Sequence, residues 1–173
     1  MDVAGIETPE EYERMTELWS ASQVEALTEA IAMVTGAPDE PGRFPASFGK
    51  ELGMAVQIIN DYLDVWRPGE AGKHTGGDLS RTKLTYPMIF ALSTGNPRSV
   101  EIEHLLAADR RAKYASRMLE ILKEIGAREF HFDAIESRHS RTDEQLEGRV
   151  TGNQLRLLKS WWRVHILADK HRP

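Results

Sequence analysis

Gln57, Asn60, Asp61 and Asp64 fall at i, i+3, i+4 and i+7 within an otherwise apolar stretch that runs from Leu52 to Trp66. On a helix of period 3.6 these four project from one face, and Ala55, Val56, Ile58, Ile59, Leu63 and Trp66 take up most of the rest. Two carboxylates on a mostly buried helix repel each other and lose hydration, so a compensating cation is expected beside them. A hard divalent ion such as Mg²⁺ suits the donor type, because it takes carboxylate oxygens, keeps several waters and completes its shell with substrate phosphates.

The elements that must position this stripe are helices. Thr8-Pro9-Glu10-Glu11 carries an N-cap, a proline at the first helical position and the glutamate of a capping box. A long helix is expected to follow as far as Gly36, with Tyr12, Met15, Leu18, Trp19, Leu27, Ile31 and Val34 as its apolar face. The stripe lies on the next helix, which opens between Pro45 and Phe48 and stops at Arg67-Pro68-Gly69. A glycine-rich loop extends to Thr85, and Tyr86 to Leu92 reads as a short buried helix opened by Pro87. Helical segments are expected at Ser99 to Ala107, Asp109 to Ile125, Ala127 to Ser137 and Thr142 to about Asp169. Strand-like alternation and internal repeats are absent, so the fold class is all-α, with residues 1–173 as a single helical domain.

The order of motifs from Leu52 to Leu92 resembles the second half of the trans-isoprenyl diphosphate synthases, the polyprenyl synthetase family. That family's second aspartate-rich motif reads Phe-Gln-x-x-Asp-Asp-x-x-Asp. Val56-Gln57-Ile58-Ile59-Asn60-Asp61-Tyr62-Leu63-Asp64 fits it, with Val56 in place of Phe and Asn60 in place of the first Asp. The family's downstream Gly-Lys, Gly-x-Asp-Leu and Gly-Lys-x-Thr-x-Pro correspond to Gly72-Lys73, Gly76-Gly77-Asp78-Leu79 and Thr82-Lys83-Leu84-Thr85-Tyr86-Pro87. Several short motifs in the right order carry far more weight than any one alone, and they outweigh a merely solvated polar face.

The resemblance implies an isoprenoid synthase-like bundle and Mg²⁺-dependent prenyl transfer from an allylic diphosphate to isopentenyl diphosphate. By the same carry-over, Asn60, Asp61 and Asp64 would hold Mg²⁺, Gln57 would hold a water or phosphate oxygen, and Lys73 and Lys83 would contact the diphosphate as point charges. Thr85 would orient that end of the site. Asn60 offers a neutral oxygen where the family has a charged one, which weakens a metal site. The family's usual Lys-Thr on the preceding helix stands here as Trp19-Ser20, which removes a cation and keeps a hydroxyl.

The first aspartate-rich motif of the family has no counterpart in these 173 residues, so the chain encodes one side of a two-sided site. Another chain or an N-terminal half would supply the other side, in a homo- or hetero-oligomer. A large exposed apolar face is then expected, since half a bundle leaves its inner surface uncovered. Two other roles fit the same motifs: a non-catalytic partner subunit of a prenyl synthase, and a terpene cyclase-like diphosphate-binding protein.

Composition narrows the field further. With no cysteine there are no disulfides or thiolate metal sites, and a cytoplasmic location is the default expectation. A net charge of −5 argues against a nucleic-acid partner, and no apolar run is long enough to cross a bilayer. Glu101-Ile102-Glu103-His104 contains a single Glu-x-x-His, where a carboxylate-bridged metal bundle needs two, and it reads as a solvated helix face. His131, Asp133 and His139 share no helical face well and are expected at the surface. The basic, amphipathic end from Leu155 to Pro173 is expected to be a terminal helix plugged into the core by Trp161 or Trp162.

Overall fold

The computed structural model describes residues 6–36, 44–67, 84–107, 111–154, 156–157 and 160, and among these every regular element is helical. The first helical path is α1 (Pro9–Thr16), a π-helical turn (Glu17–Ala21) and α2 (Ser22–Thr35). Its start is the one the sequence predicts: the Thr8 hydroxyl accepts from the Glu11 N–H, and the Glu11 carboxylate accepts from the Thr8 N–H. Its end is equally local, with Gly36 in the left-handed region at φ 63°.

The long helix α3 (Phe44–Trp66) is the centre of the molecule. It packs against α2 closely enough that side chains are excluded at two points one turn apart. A Cβ on Gly49 would stand 2.1 Å from Thr28 Oγ1, and one on Gly53 would stand 2.6 Å from the Cα of Ala21. Ala21 is itself fully buried there. Thr28 takes advantage of the approach and donates its hydroxyl to the Pro45 carbonyl at 2.6 Å.

The other side of α3 meets α4 (Tyr86–Ser93) and α7 (Ala127–Leu146) around Tyr12, Ile58, Tyr62, Tyr86, Ile89 and Ile135. A second apolar cluster joins the end of α3, through Val65, to α4, α5 (Ser99–Ala107) and α6 (Ala115–Glu124), with Met88, Ile102, Met118 and Ile121 at its centre. No described helix is long and apolar enough to cross a membrane.

Two elements differ from the sequence reading in their bounds, and a third stands out by its exposure. In the segment expected as a helix from Asp109, the described residues open with a 3₁₀ turn, Arg111–Tyr114, before α6. The break expected after Ser137 is absent, and α7 continues to Leu146. Within the expected break Arg138 is buried and ion-paired with Glu13 and with Glu51, the latter at 3.0 Å. Thr142 starts no new helix; its hydroxyl donates to the Arg138 carbonyl at 2.9 Å. The chain leaves helical geometry at Glu147, and Gly148 follows at φ 73°. Finally, α2 contains no buried residue. Leu18, Trp19, Leu27, Ile31, Met33 and Val34 are more than half exposed, so the apolar face read from the sequence is present and uncovered. Trp161 and Trp162 lie outside the described residues.

The Gly53 contact yields a direct test. Gly53→Ala places a methyl against backbone, and the expected cost is about 2 kcal/mol or more in a urea denaturation curve, although alanine is the better helix former.

Candidate functional site

α3 buries most of its circumference, so each polar group on it must be met by a partner from another element. Asp61 is 6% exposed, and three donors among the described residues converge on it. The Tyr12 hydroxyl donates to Oδ2 at 2.6 Å, the Tyr86 N–H donates to the same oxygen at 2.9 Å, and Gln57 Nε2 donates to Oδ1 at 3.2 Å. Gln57 in turn accepts from the Ser20 hydroxyl at 3.2 Å. The π-helical turn Glu17–Ala21 adds a residue to the helical repeat, a device often found at functional sites, and the Ser20 hydroxyl reaches across from it to α3.

The Tyr86 contact explains how α4 begins. Thr85 is the N-cap, yet its side chain makes no capping hydrogen bond. The first N–H groups of any helix lack internal partners, and a negative group near them is favoured by the helix dipole. Asp61 fills that role from a different helix. The Thr85 hydroxyl is buried and has no hydrogen-bond partner among the described residues.

Asp64, one turn beyond Asn60, is 4% exposed, whereas Asn60 faces solvent. The structure thus splits the stripe into an outward amide and two enclosed carboxylates. It brings Gln57 and Asp61 into direct contact and ties Asp61 to the start of α4, where Thr85 sits. Lys73 and Lys83 lie outside the described residues, as do Gly72, Gly76, Gly77 and Asp78. Tyr12 and Tyr86 are additions to the sequence reading, which counted the first as an apolar position and the second as a helix start. A tyrosine on a buried face is a signal in itself, because its hydroxyl needs a partner.

Electrostatics follow the geometry. Burial, reinforced by the charge and hydrogen bond of Asp61, pushes the Tyr12 phenol well above its ordinary range, so it stays a donor. Burial also raises Tyr86, together with the hydrogen bond its hydroxyl gives to Glu13 at 2.8 Å.

His131 departs from expectation most sharply: it is fully buried, not at the surface. Trp66 Nε1–H donates to its Nδ1 at 3.2 Å, and its Nε2 lies 2.8 Å from the Ile58 carbonyl. An indole N–H only donates and a carbonyl only accepts, so the ring is the neutral tautomer with hydrogen on Nε2. Desolvation holds its pKa down to about 3, against which the Ile58 contact acts weakly. Asp133 is exposed, and His139 is half-buried beside Asp143 on α7. On α5, Glu101 pairs with Arg117 at 2.7 Å and with Arg98 at 3.3 Å, which accounts for it as a surface ion pair.

Among the described residues, no group of three or more His, Cys, Asp or Glu side chains converges to hold a metal. The oxygens that the stripe carries are those of the Asp61 and Asp64 carboxylates and the Asn60 amide. Mg²⁺ bound through one or two protein oxygens with substrate phosphates asks for no more than that. The donor chemistry therefore fits an ion carried in with a diphosphate and does not fit a resident ion held by protein alone.

Comparison with known proteins places this geometry. Residues 1–125 match the polyprenyl synthetase family. A geranylgeranyl diphosphate synthase of Mycobacterium tuberculosis is 35% identical over 106 residues, which is 58% of this chain and 29% of that protein. An octaprenyl diphosphate synthase of Escherichia coli is 25% identical over 166 residues, covering 95% of this chain and 49% of its own length. The fold superposes on the crystal structure of a geranylgeranyl pyrophosphate synthase with a TM-score of 0.80 at 21% identity, over 92% of this chain and 51% of that one. A geranylgeranyl pyrophosphate synthetase from Pyrococcus horikoshii gives 0.73 at 21% identity, over 96% and 50%. The chain spans about half or less of the length of these relatives.

The buried histidine sets a pH dependence. In the unfolded chain His131 takes up a proton near pH 6.5, while in the fold it stays neutral down to about pH 3. The unfolded state therefore binds more protons in that window, and stability falls as pH falls below 6.5 by up to about 1.4 kcal/mol per pH unit. Urea midpoints at pH 7, 6 and 5 check this, and His131→Gln should flatten the slope.

Proposed function

Since the chain belongs to the polyprenyl synthetase family, we propose that it forms the C-terminal-half wall of a prenyl transferase site. That site would join an allylic diphosphate to isopentenyl diphosphate with Mg²⁺. The observation that carries this reading is the polar stripe of α3, in which Asp64 is enclosed one turn past Asn60 while Asp61 is joined to Gln57 and to the α4 start that follows Thr85.

In a reaction of this class the bond between the allylic carbon and the diphosphate breaks, the double bond of isopentenyl diphosphate supplies the electrons for the new carbon–carbon bond, and a proton lost from the isopentenyl unit to the departed diphosphate restores a double bond. Mg²⁺, when bound with the substrate, neutralises the charge that builds on the leaving diphosphate. The chain's own groups do the rest. Asp64 and Asn60 supply oxygens to the ion, and Gln57 orients a water or phosphate oxygen near them. Thr85 keeps a buried hydroxyl, unpartnered among the described residues, at the start of α4. Lys73 and Lys83, on the segment between α3 and α4, are assigned to the diphosphate as compact cations.

The uncovered face of α2 supports a companion. Leu27, Ile31 and Val34 are more than half exposed, and the relatives continue for about as many residues again. The partner fitted to this face is the half of the fold that carries the first aspartate-rich motif, as a separate chain or as part of a longer one. A second reading rests on the same face: a non-catalytic subunit that docks on a complete synthase and changes its product length or stability.

Thermal melts of the purified chain with inorganic pyrophosphate and Mg²⁺, singly and together, test the first reading. A rise in melting temperature that needs both and disappears in Asp64→Ala supports it, and no rise from the pair overturns it for the isolated chain. For the companion, Leu27→Glu with Val34→Glu should shift the stability of the isolated chain by less than about 0.5 kcal/mol. The same pair should abolish association seen by sedimentation velocity.

A further inference from the structure

We propose that Asp61 is a positioning residue, a strut that sets α4 against the metal-facing side of α3, and not a ligand of the metal. This rests on the functional reading above and assigns different work to the two carboxylates of the stripe.

Three features of Asp61 carry the argument. Its Oδ2 is shared by a hydroxyl and a backbone N–H from two other helices, at 2.6 and 2.9 Å, which are short, charge-assisted distances. Those donors come from Tyr12 and Tyr86, which are 1% and 2% exposed and in ring contact with each other at 5.2 Å, so neither can swing away without opening the core. Its Oδ1 accepts from Gln57, which is tied onward to Ser20 in the π-helical turn. Both lone pairs of Oδ2 are taken by these two donors, so a metal on that oxygen would leave a buried phenol or a helix-end N–H unpaired, at a cost of about 1–3 kcal/mol.

The strut also explains why α4 begins where it does. With no cap from Thr85, the Tyr86 N–H takes its acceptor from Asp61, and this fixes Thr85 one residue upstream of that bond. Asp61 therefore acts on the diphosphate through the placement of Thr85.

Asparagine preserves this arrangement and alanine does not. In Asp61→Asn the amide oxygen can keep both Oδ2 bonds, while its NH₂ faces Gln57, whose own amide can turn to accept. A metal ligand would be weakened by either change, because both give up the charge that helps hold the ion.

The experiment pairs ligand-free melting temperatures with the affinity for Mg²⁺-pyrophosphate in wild type, Asp61→Asn, Asp61→Ala, Tyr12→Phe and Asp64→Asn. A strut predicts that Asp61→Asn stays within about 3 °C of wild type and Asp61→Ala loses about 6 °C or more. Tyr12→Phe with Asp61→Ala should cost less than the sum of the two. Affinity should stay within about threefold in Asp61→Asn, while Asp64→Asn should lose more than about tenfold, a change of roughly 1.4 kcal/mol. The proposal is overturned if Asp61→Asn loses affinity as Asp64→Asn does at an unchanged melting temperature, or if Tyr12 and Asp61 prove additive. Should wild type bind no Mg²⁺-pyrophosphate, the functional reading fails on its own, and the melting temperatures still decide the strut: rescue by asparagine and coupling to Tyr12 support it, and their absence overturns it. If Asp61→Ala does not fold, Tyr12→Phe and Asp61→Asn carry the same comparison.

Discussion

A helix taken out of water on most of its surface must have every polar group it carries answered by another part of the chain, and α3 is that helix here. Glu51 is answered by Arg138 from α7, Gln57 by Ser20 from the π-helical turn, and Asp61 by Tyr12 from α1 and Tyr86 from α4. Even a backbone carbonyl of α3, that of Ile58, is reached by His131 from α7. The answers come from α1, the π-helical turn, α4 and α7, so the polar groups of α3 dictate how its neighbours are oriented. Apolar burial supplies most of the driving force for such a core, but it is non-directional. The hydrogen bonds contribute direction, because leaving any of them unmade in the interior is costly.

The second constraint is the close approach of α2 to α3. Gly49 and Gly53 let the two backbones meet where any side chain would collide, and this brings the π-helical turn to the level of Gln57. The opposite side of α2 is left bare. An apolar face of this kind, on a chain that matches about half of its relatives' length, is what remains when one wall of a two-walled cavity stands without the other. The polar stripe and the bare face therefore belong to one description: the chain carries an organised half of a site together with a surface on which further protein can seat.

Much of the fold was legible because its signals are local. The capping box at Thr8 and Glu11, the proline at the start of α4, the glycine after α2 and the 3.6-residue period of α3 all act within a turn or two, and each element stands where they place it. Errors arose where a long-range partner overrode a local signal. The polar run from Ser137 to Thr142 reads as a boundary until Arg138 is seen paired with Glu13, 125 residues away. His131 reads as a surface residue until its ring is found between Trp66 and Ile58.

The sequence by itself determined the family, the helical class and the four side chains that share a face of α3, because motif order and helical period are properties of neighbours along the chain. Which of those side chains faces water, which is enclosed, and which is gripped by other helices was decided only in three dimensions. Asp61 and Asp64 are the same residue type on the same face, and nothing within a few positions tells them apart. What grips Asp61 is Tyr12 and Tyr86, 49 and 25 residues distant, whose donors reach it only after the core has closed around them.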